Sequence, residues 1–124
     1  MTIQEAINRT DALKYNTYSN EDKIAWLSRL DAMVKRLILD THEGTDNVSF
    51  FGYDSQTELD TVLLVPSPYD EIYILWLQAQ IDLNNGEYDK YNASITLFNT
   101  EYEAYENYIN RTCMPKSVGG RFRF

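Results

Sequence analysis

The chain predicts a mainly α-helical fold: a helical bundle of about four helices with a long C-terminal helix, an irregular or short β-hairpin insertion at about 45–66, and an extended C-terminal tail. Three observations carry this. The large apolar residues Tyr88, Tyr91, Ile95, Phe98, Tyr102, Tyr105 and Ile109 recur at alternating spacings of three and four, the period of one helix face. Helix-start signals at Thr2/Glu5, Ser19/Asp22 and Ser67-Pro68 each precede a run of helical period. Between the last two helical runs stands Asn84-Asn85-Gly86, a turn signal with a glycine for the positive φ that such a turn needs. At 124 residues the length suits one domain, read as a helical body over 1–114 and a flexible basic tail over 115–124.

Thr2-Ile3-Gln4-Glu5 has the form of a capping box, with Ile3, Ala6, Ile7 and Thr10 marking one face of a first helix that ends near Leu13. After a polar turn at 14–19, Ser19 opens a second helix. Its stripe is Ile24, Leu27, Leu30, Val34, Leu37 and Ile38, widened by Trp26 and Met33, and Gly44 is a plausible stop. Residues 45–66 are the least regular part. Val48–Tyr53 is aromatic and β-prone, 54–60 is acidic and polar, and 61–65 is apolar and β-branched. This reads as two short strands or as a loop pinned by its aromatics. A connection of that length more often serves a function than fills space. Ser67 at the N-cap and Pro68 at the first helical position then start a helix that buries Ile72, Leu75, Trp76, Ala79 and Leu83. The final helix runs to about Met114. Its seam is too bulky for a regular two-stranded coiled coil and suits packing on the preceding helix or sharing with a neighbouring copy.

Charge is divided unevenly. Residues 1–110 hold all 19 acids and 7 of the 11 basic residues, a net of −12, whereas 111–124 hold four basic residues and no acid. An acidic body repels nucleic acid and anionic membranes, so non-specific binding to either is not expected of the folded part, and neither a membrane nor a sequence-specific nucleic-acid partner is expected. The ten tyrosines suit half-buried seams and interfaces, where the ring is covered and the hydroxyl stays wet. A lone Cys113 forms no internal disulfide and fits a reducing cytoplasm. The opening Met1–Glu5 has no basic region and no apolar run, so no signal peptide is expected. Ile72–Leu83 is too short to span a bilayer and includes Asp82.

Residues that carry chemistry are sparse. His42 is the only histidine and sits where a helix C-terminus favours a capping cation. Asp40–Asp46 resembles a calcium loop superficially, but its glycine is one place early and the closing glutamate is missing. Arg111 stands near Cys113, but the chain has no second histidine or cysteine to act as base or resolving partner. Carboxylate pairs such as Asp70/Glu71 and Glu101/Glu103 read as solvated helix charges. Phosphate-binding glycine loops and a nucleophile elbow are absent from the sequence. The chain is therefore not expected to be an enzyme, and neither a cofactor nor a metal is expected.

Val65-Pro66-Ser67-Pro68-Tyr69-Asp70-Glu71-Ile72-Tyr73 opens a series of positions with a family likeness. It continues through Leu77, Ala79, Ile81-Asp82, Asn85, Glu87, Tyr91-Asn92, Phe98-Asn99, Tyr108 and Asn110-Arg111. With Thr41-His42-Glu43-Gly44 and the ending that contains Gly119-Gly120-Arg121-Phe122, these resemble small virion structural proteins of tailed phages and prophages of Gram-positive bacteria, in particular head–tail connector or adaptor proteins. The resemblance implies a helical, non-catalytic protein, made in the bacterial host cytoplasm and residing in the virion at the head–tail junction. There it rings the portal protein, contacts neighbouring copies of itself, and receives downstream head-completion or tail proteins. Within that role an acidic wall suits a channel through which DNA slides without sticking. Arg111, Lys116, Arg121, Phe122, Arg123 and Phe124 are the expected partner contacts, with Phe50, Phe51 and Tyr53 second, since arginine and aromatic side chains most often carry interface energy. The alternating Arg-Phe-Arg-Phe end also suits strand addition to a partner's sheet edge. The alternative is a small acidic prophage or host regulatory protein that binds and masks a basic partner surface.

Overall fold

Thr2 sets the first helix as its sequence predicts. Its hydroxyl accepts from Glu5 N at 3.1 Å and the Glu5 carboxylate accepts from Thr2 N at 2.9 Å, the two halves of a capping box. The structure, a computed structural model, describes residues 1–116. Among these it is mainly helical, with four α-helices: α1 (Ile3–Leu13), α2 (Asn20–Val34), α3 (Glu71–Asn84) and α4 (Tyr88–Thr112). Ser19 caps α2 by accepting from Asp22 N. Beyond Val34 the helix widens into a π-helical turn, Lys35–Leu39, in which Asp40 N bonds back to Lys35 O at 2.8 Å. The extra residue rotates Leu37 out of the predicted stripe, leaving it 54 % exposed while Ile38 and Leu39 are buried.

α3 is the centre of the bundle and packs against each of the other helices. Its apolar run has no polar side to turn outward, so Ile72, Tyr73, Ile74, Trp76, Leu77, Ala79 and Ile81 are all buried. Leu83, expected inside, lies at the open end and is exposed. The helix also starts later than Ser67-Pro68 predicts. Residues 66–69 form a turn closed by Tyr69 N donating to Pro66 O, and the Tyr69 ring packs on Tyr105 and Tyr108 of α4, so helical geometry begins only at Glu71. At the other end Gly86 adopts φ +76° between α3 and α4, the role its sequence position predicts.

The β-hairpin expected within 45–66 does not form: among the described residues there is no strand, and this segment is an irregular connection. Apart from local turn bonds such as Thr57 N to Asp54 O and Thr61 N to Glu58 O, its backbone-to-backbone bonds run to the start of the chain. Thr61 O and Leu59 O accept from Ile3 N and Gln4 N, two of the unpaired amides at the start of α1, and Leu63 N donates to Met1 O. No helix is long and apolar enough to cross a membrane among the described residues.

The α4 seam divides in two. Phe98, Tyr105 and Ile109 are buried, whereas Tyr91, Ile95 and Tyr102 are half-covered and Tyr88 is exposed. Phe98 meets Trp76 and Tyr102 at centroid distances of 5.2 and 5.5 Å, an aromatic joint between α3 and α4. Two ion pairs lock the opposite corner. Lys14 reaches Asp82, whose side chain is 1 % exposed, at 2.6 Å. Lys23, itself buried on α2, reaches Asp11 at 2.7 Å. Partial burial pushes the Asp11 carboxyl up, but the hydrogen bonds from Lys23 and Asn16 outweigh it and hold it below the usual range.

Candidate partner-binding surface

The irregular segment is held by one buried carboxylate. Asp31 lies in the apolar stripe of α2 between Leu30 and Val34 and is fully buried. Its Oδ2 accepts from the Tyr53 hydroxyl at 2.6 Å and from Leu64 N at 3.1 Å, and its Oδ1 accepts from the Tyr73 hydroxyl at 2.7 Å. Tyr73 in turn accepts from Val65 N at 2.7 Å, so the network ties the middle of the segment, at Tyr53, and its C-terminal end, at Leu64 and Val65, to α2 and α3. Burial drives the Asp31 carboxyl above its ordinary value, against the pull of three hydrogen bonds. Burial and the neighbouring Asp31 together push both tyrosine hydroxyls far up, so they remain donors at any physiological pH.

This anchoring decides how the three loop aromatics are presented. Tyr53 points inward to Asp31, and its amide also donates to Ser28 Oγ at 3.0 Å. Phe50 packs edge-on against the Tyr53 ring at 5.0 Å. Between them Gly52 takes φ +96°, and a Cβ there would meet Ser28 Oγ at 3.4 Å. The outcome is Phe51 standing 97 % exposed on a fixed base. Of the three loop aromatics expected to contact a partner, Phe51 is thus the one offered to solvent.

A second anchor sits at the end of α2 and its π-helical turn. The carbonyls freed there are taken by side chains: Thr41 Oγ1 donates to Leu37 O or Ile38 O, and Thr45 Oγ1 to Leu39 O. His42 is buried and its Nδ1 lies 2.7 Å from Ile38 O, so it caps the helix as its sequence position predicts. Its Nε2 also reaches the Asn110 side chain on α4 at 2.6 Å. A neutral ring with its hydrogen on Nδ1 is satisfied when that amide turns its NH2 toward Nε2, oxygen and nitrogen being exchangeable by a flip.

The chain after α4 returns along this anchor. Glu43 N donates to Met114 O, Lys116 N donates to Thr41 O, and His42 pairs with Pro115 as an isolated antiparallel bridge. Lys116 Nζ reaches Asp46 at 2.9 Å, and that hydrogen bond holds the Asp46 carboxyl below its usual range. The first two residues of the segment expected as a flexible tail, Pro115 and Lys116, are therefore bonded to the body. Arg111 is exposed on the last turn of α4. Arg121, Phe122, Arg123 and Phe124 lie outside the described residues. Asp31 and Tyr73, which position the loop, escaped the sequence reading; an acid in register with Leu27, Leu30 and Val34 was the available signal.

Among the described residues no group of three or more His, Cys, Asp or Glu side chains is arranged to hold a metal ion. Cys113 is a half-buried free thiol. The fold and this surface define a helical bundle with an anchored, partly apolar loop and a basic C-terminal segment meeting at one ion pair. Comparisons with family models, with curated proteins and with solved structures found no match in any of the three.

Proposed function

We propose that this chain is a phage head–tail connector, a structural adaptor that assembles on the portal protein and joins capsid to tail. The reading rests on the virion-protein resemblance in the sequence. The observation that supports it most is the meeting of two expected contact regions. Lys116, the start of the basic segment, is ion-paired with Asp46, five residues before the fully exposed Phe51. A partner that binds at Lys116 thus meets the 45–66 segment at Asp46. Preorganisation adds to this, because a ring on a fixed loop loses little conformational entropy on docking. The acidic body, net −12 over residues 1–110, suits the wall of a DNA passage.

Mixing the full chain with its cognate portal protein and following the mass by light scattering tests the reading. A large complex is expected, persisting at roughly 0.5 M salt because a packed aromatic contact is not screened. Phe51→Ala should weaken it by about tenfold or more, the usual effect of removing an aromatic anchor. Absence of any complex with the portal would refute the proposal. A complex with a basic partner that dissolves at moderate salt would favour the masking reading.

A further inference from the structure

The outward face of α4 has a composition that a solvated helix has no reason to carry. From Tyr91 to Thr100 there is no charged residue, in a chain with 19 acids. Asn92, Ala93, Thr96, Leu97, Asn99 and Thr100 are all exposed. Threonine and asparagine are poor helix formers, and the stretch has no charge pairs between successive turns to compensate. Nor are the threonine hydroxyls free for water or solute. Thr96 Oγ1 donates to Asn92 O at 2.7 Å and Thr100 Oγ1 to Thr96 O at 3.1 Å. With their hydroxyls bound to their own helix, these residues present methyl groups beside Ala93 and the 57 % exposed Leu97. The strip of Ala93, Thr96, Leu97 and Thr100 can be covered without stranding a hydroxyl donor, with the Asn92 and Asn99 amides flanking it, and its small side chains permit close helix approach.

We propose that this face pairs with the same face of a second copy, α4 against α4, antiparallel about a two-fold axis between Thr96 and Leu97. Charge selects this occupant. Two copies that each carry −8 repel over most of their surfaces and can meet only where charge is absent or matched. The matching is present. Antiparallel pairing in this register sets Ala93 opposite Thr100 and Lys90 opposite Glu103 at both ends of the patch. Lys90 is the only basic residue between Arg36 and Arg111. Its side chain is 66 % exposed, and its ammonium pairs with Glu87 one turn away at 3.0 Å. A two-fold pair closes at two copies. It does not rest on the connector reading, because it uses neither the 45–66 segment nor the C-terminal segment.

Sedimentation equilibrium of the full chain from about 10 μM to about 1 mM tests it, the range chosen because a two-helix contact is below the size of tight interfaces. The mass should rise with concentration toward twice the 14.5 kDa of one chain. Leu97→Glu should abolish the rise. Lys90→Glu should weaken association roughly tenfold by placing like charges at both ends, and Lys90→Glu combined with Glu103→Lys should restore it. Far-ultraviolet circular dichroism should be unchanged in all variants, since each side chain is exposed. A chain that stays at 14.5 kDa throughout would overturn the proposal. So would a dimer indifferent to Leu97→Glu, or a double charge exchange that fails to restore pairing. Loss of portal binding in Leu97→Glu, with a monomeric parent, would reassign the face to the portal.

Discussion

Replacing Tyr73 by phenylalanine removes one oxygen and orphans two buried groups. The hydroxyl accepts from Val65 N at 2.7 Å and donates to Asp31 Oδ1 at 2.7 Å. Without it, the Val65 amide has no acceptor and the carboxylate loses one of its three donors, while the ring keeps its packing. A buried donor left unpaired costs about 1–3 kcal/mol and a lost bond to a buried acid a similar amount, so about 2–4 kcal/mol in all is expected. Tyr53→Phe is the internal control. It also removes a donor to Asp31, but Oδ2 keeps Leu64 N at 3.1 Å and no amide is orphaned, so about 1–2 kcal/mol is expected. Urea unfolding followed by circular dichroism at pH 7 gives both values. The melting temperature of Tyr73→Phe should fall by about 6–20 °C for a domain of this size. A Tyr73→Phe protein within about 0.5 kcal/mol of the parent would refute the argument that this hydroxyl is the joint of the network, that margin being the usual size of a surface substitution. So would a Tyr53→Phe protein that is the less stable of the two.

Asp31 should also give stability a signature in pH. Its folded pKa lies above the ordinary 3.8, so its favourable contribution is complete below pH 3.8 and is lost as pH rises through the raised value. The stability of the parent relative to Asp31→Asn should therefore be greatest in acid and decline as pH rises; a difference that grows with pH would contradict this. Lys14→Met should cost about 3–5 kcal/mol, because it leaves Asp82 buried with only Ser94 Oγ at 3.3 Å; calorimetry reads the loss directly. Gly52→Ala should cost about 1–2 kcal/mol for its positive φ and should shift Phe51, weakening portal binding more than stability. Phe51→Ala, by contrast, should leave the denaturation midpoint unchanged.

What could be read from the sequence was mostly local. Thr2 with Glu5, Ser19 with Asp22, and Gly86 each act on backbone groups within four residues, so their roles follow from the residues around them. The start of α3 was misplaced because its cause is distant: Tyr69 packs on Tyr105 and Tyr108, and this holds residues 66–70 out of helix. The 45–66 segment was ambiguous for the same reason. Its β-branched residues suit an extended chain, but the acceptors that decide its path, Asp31 and Tyr73, come from helices elsewhere in the chain. Lys23 was equally hidden: a lysine on an apolar face reads as an error until Asp11 is placed beside it. The exposed residues expected as contacts, Phe51, Arg111 and Lys116, were legible as chemistry, while their arrangement was not.

The π-helical turn at Lys35–Leu39 has a meaning for how this chain tolerates change in length. A turn closed by Asp40 N on Lys35 O holds one residue more than an α-turn, at the point where α2 ends. Leu37, the residue thrown outward, reads as that surplus. Deleting it should let α2 run on as ordinary helix, with His42 still arriving beneath Ile38 and beside Asn110. Related chains differing by one residue at this point would then share the same interior, and any alignment of them should open its gap here rather than in a loop.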